Sequence, residues 1–389
     1  MQNRKIRVGV NGYGVIGSRV ADAVAKQDDM ELVGISDVMY DYRIRVAAER
    51  GYPIYASMPN KRGEMESANL PIVGTLEDLL GKVDVIVDAT PKGVGAKNKP
   101  TYEKAGVKMI FQGGEKHELT GYSFCAQVNY EKGLGKSAAR VVSCNTTALC
   151  RVMHAFQKRG WIKRARAVLM RRGTDPWESH EDGMINTVIP ETRVPSHQGP
   201  DAQTVFDGQN LNITTLAAAG PYDLSHIHFA MVETTQPVSK EQLHQALMEE
   251  PRIAFVRAAD GLVALNSVIE LMRDLERPRH DMWEVAVWEE SLASDNTDLY
   301  VTFQVDNESI AIPENIDCIR ALTGMERDPM RSIQKTDASL GITKNFLPKT
   351  LQMPVMAAAP QGVRQTEAQF MSEGYKGSEE PVPMTGRQR

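Results

Sequence analysis

The chain has 389 residues, a formal net charge of −5, 42% hydrophobic and 24% charged residues, enough to bury one or two sizeable cores and expected to form two domains. Its charges are interspersed, with no long basic block, which argues against a nucleic-acid partner; its four cysteines, none in a CxxC, are too few for a disulfide framework and point to a reducing compartment. No apolar run approaches the ~20 residues of a membrane span, and "MQNRKIRVGVNGYG" leads into a strand with no signal-peptide core, so a cytoplasmic protein without a membrane partner is expected.

The first element is read in "KIRVGVNGYGVIGSRVADAVAKQ". Ile6, Val8 and Val10 form a β-branched apolar run, and Val20, Ala21, Val24 and Ala25 then recur at helical spacing. Gly12, Gly14 and Gly17 therefore sit at a strand-to-helix junction, with Val15 and Ile16 opening the helix. In that setting GxGxxG reads as a dinucleotide site: one glycine for the turn, one for close approach of a pyrophosphate, one for helix packing. A purely structural glycine turn is the alternative. The next strand, "MELVGISD", ends in Asp37, about 20 residues beyond the last glycine, where an acid accepts hydrogen bonds from a ribose 2′-OH and repels a 2′-phosphate. An exposed acid at a strand end is the competing reading.

Further along, "KVDVIVDATP", "TYEKAGVKMIFQGGEK" and "ARVVSC" alternate strand and helix, which implies a parallel sheet whose ligands gather at the carboxyl ends of its strands. Gly114 of "FQGGEK" lies at one such end. Cys144 lies at another, and the run Ala148, Leu149, Val152, Met153, Phe156 begins a helix there, so the macrodipole and any nearby imidazolium are expected to favour its thiolate. Cys125, Cys150 and Cys318 sit in apolar or helical segments and read as inert packing, which is also the ordinary reading of a lone cysteine. "AVLMRRGTDP" places Arg171 and Arg172 at a strand end, where guanidinium forks suit phosphate but by default are solvated. In "DLSHIHFAMVE", His226 and His228 share a strand face. As a metal pair they lack a third ligand at a recognisable spacing, so no metal is expected, and a satisfied core or surface histidine remains open for either.

Seven segments in order, "NGYGVIG", "DATPKGVGAKNKP", "FQGGEK", "VVSCNTTALCR", "VPSHQGP", "SHIHF" and "IPENIDCIRAL", resemble the archaeal-type phosphorylating glyceraldehyde-3-phosphate dehydrogenases over roughly residues 4 to 347. The resemblance implies an α/β chain: an N-terminal Rossmann NAD(P)-binding domain (1–143), an α/β catalytic domain (144–308) and a C-terminal helix returning to the first domain (309–350). It implies Cys144 as nucleophile, His226 as base and His228 as structural. Glyceraldehyde 3-phosphate and inorganic phosphate would be the substrates, a homotetramer the assembly. Arg171 and Arg172 would meet substrate phosphate and cofactor, with the division between them open. Ser143, Asn145, His197 and Gln198 are the further substrate contacts, Gln198 standing where the family often has a second histidine. Gly114, Arg172 and Asn307 join the glycines and Asp37 on the cofactor side, Asn307 toward the nicotinamide carboxamide. Archaeal relatives often carry Lys where Asp37 stands, so NAD is expected in preference to NADP. Two other readings stand beside this one: an aldehyde dehydrogenase of the same fold acting on erythrose 4-phosphate or a semialdehyde, and a cofactor-binding sensor that has lost catalysis. Residues 351–389, rich in Pro, Gly, Gln, Glu and Ser, are expected to be disordered.

Overall fold

The computed structural model describes residues 4–176 and 186–347; the expectation for the tail falls outside them. Strands β1 (Ile6–Asn11), β2 (Met30–Asp37), β3 (Ile54–Ala56), β4 (Ile72–Thr75), β5 (Val85–Asp88), β6 (Lys108–Phe111), β7 (Ser123–Phe124) and β8 (Ala138–Val141) form one sheet in the order β4-β3-β2-β1-β5-β6-β8-β7. Every pairing in it is parallel. Its central strands read as unbroken apolar runs, Val85, Ile86 and Val87 all being fully buried, because helices cover both faces. Strand order reverses at β1, which leads to β2 on one side and pairs with β5 on the other. The crevice at its carboxyl end is the position where such sheets take ligands.

Six helices frame the site: α1 (Val15–Ala25), α2 (Val94–Ala105), α3 (Cys144–Gln157), α4 (Gln198–Val205), α5 (Ile312–Thr323) and α6 (Pro329–Leu340). The second sheet contains β9 (Ile162–Arg171), β10 (Ile189–Pro190), β11 (Ile213–Ala219), β12 (His226–Thr234), β13 (Ile253–Val256), β14 (Val285–Trp288), β15 (Ala293–Asp295) and β16 (Asp298–Val305). Its order is β10-β11-β9-β12-β16-β14-β13, with β15 added to β16, and parallel and antiparallel pairs are mixed. On β12 the period of two is explicit: His226, His228 and Ala230 are buried, while Phe229 between them is exposed. Phe229 stands in register with Val168 of β9 and Thr302 of β16, and Leu216 of β11 also pairs Val168, so an apolar row crosses the face opposite the histidines.

Helix α3 joins the two sheets in sequence and is buried along most of its length. Near its middle Arg151, fully buried, donates to Glu314 Oε1 of α5 at 2.7 Å and to the backbone oxygens of Trp283 and Ile310. The same carboxylate takes Arg252 at 3.1 Å, and Arg252 also reaches Asp317 of α5 and Asp337 of α6. Each buried guanidinium is thus fully engaged, the condition under which a charge can leave water. Helix α5 packs in turn against α1, β6 and β8, tying the C-terminal segment to the first sheet.

Candidate active site

The glycine-rich turn has the shape of a phosphate cradle. Gly12 takes φ +89°, and a Cβ on it would lie 2.9 Å from the Ala89 and Thr90 backbone; a Cβ on Gly17 would lie 1.8 Å from the Gly12 oxygen. A Cβ on Gly14, by contrast, would meet nothing within 4 Å, so the side facing the crevice is open. Gly14 caps α1 without a side-chain hydrogen bond, and the first turn that Val15 and Ile16 open carries no acid. A helix end with uncapped amides and positive dipole beside open space fits a dinucleotide pyrophosphate.

Asp37 closes this turn. Its Oδ2 accepts the Tyr13 N–H at 2.6 Å, and its Oδ1 accepts those of Val38 and Met39 at 2.7 and 2.9 Å, so the carboxylate is fixed against the glycine loop. Nearby Arg43 pairs with Asp41, its Nε 3.0 Å from Oδ2, and Arg45 is an exposed helix residue. Sequence reasoning did not find the polar bracket behind the loop. Asn11 donates to the Tyr102 hydroxyl at 2.7 Å and accepts from Ser36 and Ser57, and Tyr102 donates to Asp88 at 2.6 Å. Buried Asn11 at the end of β1, inside the fingerprint itself, was the available signal. At "FQGGEK" the sterically demanding glycine is Gly113, whose Cβ would lie 2.2 Å from the Ser143 nitrogen; Gly114 stands beside Lys92.

Cys144 is partly exposed at the first position of α3, and its sulfur lies 3.3 Å from His226 Nε2. Two residues 82 apart in sequence are brought together where β8 ends and β12 begins. The other ring nitrogen, Nδ1, accepts the Arg172 backbone N–H at 2.9 Å. With that lone pair engaged, the neutral ring carries its proton on Nε2 and offers it to the sulfur. Burial, followed by the His228 ring and the charges of Arg172 and Arg171, holds His226 well below its ordinary 6.5, so it supplies no imidazolium beside the thiol. The thiol departs from expectation in the same way. Burial pushes Cys144 up to about 11, and the Arg172 charge and Asn145 amide only partly oppose it, because the helix end that favours a thiolate is itself dry.

The remaining expected residues divide between those brought to the pair and those with other partners. Ser143 caps α3 and its hydroxyl shares a hydrogen bond with Thr146; the Asn145 amide approaches the Cys144 sulfur at 3.7 Å. Arg171 faces Glu191 at 3.5 Å and Arg172 faces Asp175 at 2.6 Å. Glu191, absent from the sequence reading, also lies 3.6 Å from His197 Nδ1. Gln198, at the start of α4, is fully buried, and among the described residues neither of its amide atoms is bonded and the buried Nε atoms of Arg171 and Arg172 and the Tyr222 hydroxyl have no partner. Unmet donors of this kind suit an anionic or polyhydroxy ligand. Asn307 is committed elsewhere: Oδ1 accepts the Ser225 N–H at 2.9 Å and Nδ2 donates to Asp175 at 3.1 Å. It anchors Ser225, which takes a left-handed φ of 68° immediately before β12. Among the described residues no cluster of ligands suited to a metal ion is present.

Known proteins place this geometry. Residues 143–291 match the family model described as the glyceraldehyde 3-phosphate dehydrogenase C-terminal domain, and residues 6–114 match that of the dihydrodipicolinate reductase N-terminus. A glyceraldehyde-3-phosphate dehydrogenase from Methanobacterium bryantii is 48% identical over 337 residues, 86% of this chain and 99% of the relative. One from Thermococcus kodakarensis is 47% identical over 340 residues, 87% of this chain and all of the relative. Among solved structures, aspartate semialdehyde dehydrogenase II from Vibrio cholerae, complexed with ASA, superposes with a TM-score of 0.59 over 82% of this chain and 98% of its own; at 14% identity it shares the fold. The chain belongs to the glyceraldehyde-3-phosphate dehydrogenase family.

Proposed function

We propose that the protein oxidises D-glyceraldehyde 3-phosphate to 1,3-bisphosphoglycerate through a thioester on Cys144, using a nicotinamide cofactor and inorganic phosphate. The observation that carries this reading is the Cys144–His226 contact of 3.3 Å, with Cys144 just past the carboxyl end of β8 in the same sheet whose first strand leads into the open glycine turn. After the thiol has lost its proton to solvent, the sulfur attacks the aldehyde carbon. A C–S bond forms and the carbonyl π pair moves to oxygen. The His226 Nε2–H, first directed at sulfur, then stabilises that oxyanion, with the Asn145 amide as a second donor. When bound, the nicotinamide cofactor supplies the hydride acceptor that turns the hemithioacetal into a thioester. Because the alkoxide has no proton to lose, His226 serves as a donor in this step rather than as the base the sequence suggested. An oxygen of hydrogen phosphate then attacks the thioester carbon, C–O forms, C–S breaks, and the departing Cys144 thiolate takes up the proton that the phosphate gives up.

Arg171, Arg172, His197 and Gln198 serve the two phosphate groups, with Glu191 and Asp175 holding the guanidinium groups until an anion arrives. Gly12, Gly14, Val15, Ile16, Gly17 and Asp37 serve the cofactor, with Gly113 and Gly114 at the next strand end. NAD is favoured over NADP because the Asp37 carboxylate, held at the end of β2 against the glycine loop, would repel a 2′-phosphate, while Arg43 is paired with Asp41. Asn307 positions Ser225 and His226 from the side of β16. We read the chain as two domains, 1–143 and 144–308, with 309–350 returning to the first. A second copy of the chain is the occupant we assign to the apolar row Leu216, Val168, Phe229 in a homotetramer. Absorbance at 340 nm with glyceraldehyde 3-phosphate should rise catalytically with phosphate present and stall near one turnover per subunit without it. Turnover with erythrose 4-phosphate or aspartate semialdehyde but not with glyceraldehyde 3-phosphate would overturn the assignment.

A further inference from the structure

We propose that His228 is a positioning residue: its Nε2–H holds the Asn145 amide so that the amide nitrogen, not the carbonyl, faces the Cys144 sulfur. The inference rests on the reading of Cys144 as nucleophile and deepens it. His228 Nε2 lies 2.7 Å from Asn145 Oδ1, and Asn145 Nδ2 lies 3.7 Å from Cys144 Sγ. The ring is fully buried and packs edge-on against Phe303, with centroids 5.0 Å apart at 72°, which fixes its plane.

Counting donors and acceptors leaves one arrangement. His228 Nδ1 has no partner among the described residues. If the ring proton sat there, a buried donor would go unmet and two lone pairs would face each other across 2.7 Å. Turning the Asn145 amide over would relieve that clash only by pointing its carbonyl at the sulfur, where it repels a thiolate. With the proton on Nε2, the ring donates to Asn145 Oδ1 and an N–H is directed at the sulfur, leaving only an Nδ1 lone pair without a partner among the described residues. Burial also holds His228 to about 3, so the ring stays neutral at any pH where the enzyme works and the orientation does not switch. His226 and His228 therefore divide one strand face, the first touching the sulfur and the second acting through Asn145. A search for ligand chemistry would have read this H-x-H spacing as a pair of equals.

The other groups that face the sulfur are His226 from β12, the Arg172 charge and Asn145 backbone amide, which lower its pKa, and Asp175 and Asp306, which raise it. Replacing His228 removes none of these groups, but its ring also helps to hold His226 low, so Asn145→Ala, which leaves both histidines in place, makes the test selective. It uses the full chain, with iodoacetamide alkylation of Cys144 followed by peptide mapping from pH 7 to 11. His228→Leu should slow alkylation about three- to tenfold at pH 7, the effect of losing one oriented donor from a thiolate. His228→Gln, which can present an N–H, should recover most of the rate. Asn145→Ala should lose as much as His228→Leu, and the double variant no more than either. In turnover, kcat should fall while KM for glyceraldehyde 3-phosphate stays within about twofold. Wild-type alkylation in Asn145→Ala or His228→Leu overturns the proposal, as does an undiminished His228→Leu effect in the Asn145→Ala background. Should His228→Leu not fold, Asn145→Ala and His228→Gln decide: a wild-type rate in the first, or a rate in the second as low as the first, refutes it. Alkylation is read on Cys144 itself, so these outcomes are separate from whether Cys144 carries turnover, which Cys144→Ser addresses.

Discussion

The middle of α3 and its N-terminal end use polar groups in opposite ways. Around Arg151, in the helix interior, every charge has a partner: Glu314 receives two guanidinium groups and the Ala126 N–H, and Arg252 is shared among three carboxylates. Around Cys144, at the N-terminal end, the groups are less deeply buried and poorly matched: a thiol held protonated, a histidine held neutral, and, among the described residues, unbonded atoms on Gln198, Arg171 and Arg172. Satisfied burial specifies the fold; unsatisfied burial stores interactions for a ligand. The contrast teaches that reactivity here comes from what the edge lacks, and that the paired interior is what lets the edge stay deficient.

Substitutions that trade one region against the other test this contrast. Cys144→Ala should lower kcat at least about 10⁴-fold, measured by initial rates, while leaving thermal stability equal or higher, since it removes a reactive group and no paired one. Glu314→Ala should do the reverse, costing about 3–5 kcal/mol in denaturant titration by stranding Arg151 and Arg252. That loss has a pH signature. Burial raises the Glu314 carboxyl, but the Arg151 and Arg252 charges more than reverse it, so it lies below its ordinary 4.5 when folded. Its contribution is present above the unfolded value and disappears as pH falls through the folded one, so the Tm curves of variant and wild type should converge in acid. Parallel curves down to about pH 3 would show that Glu314 is not the titrating group.

At the deficient end, His226→Asn should slow acylation by about 10²–10⁴-fold in single-turnover measurements. The wild-type alkylation rate, without cofactor, should climb about tenfold per pH unit from 7 to 10. It should show no inflection near 6.5, because the thiol is raised toward 11 and His226 does not titrate there. A plateau by pH 8 would mean that the edge favours a thiolate after all. The smallest effect is at the cofactor: Asp37→Asn should reduce the ratio of kcat/KM for NAD to that for NADP about tenfold, as ~1.4 kcal/mol of repulsion is removed. An unchanged ratio would assign Asp37 to the Tyr13 loop contact alone.

Local periodicity carried much of this into the sequence. The β-branched run, the glycines and the helical spacing after them gave β1 and α1, and the alternation in "SHIHF" placed His226 and His228 on one face, because these patterns repeat within a few residues. Contacts across long separations were not legible. Nothing near Arg171 announces Glu191, Asn307 reads as a cofactor contact until Ser225 and Asp175 close on it, and Gly114 attracts attention that belongs to Gly113. The sign of the Cys144 shift was misjudged for the same reason. A helix start is visible in sequence, whereas the depth at which it ends is not.

Ser225, held in its left-handed turn by Asn307, also acts as an index mark for β12. Because neighbouring side chains on a strand point to opposite faces, advancing β12 by a single position would bring Ile227 to the sulfur and turn the histidines toward the row occupied by Phe229. The placement of the proposed catalytic pair and of the proposed subunit contact is thus read from one reference point in the chain. Lengthening the 220–225 loop by one residue would not loosen the enzyme by degrees; it would exchange the inside of the strand for the outside.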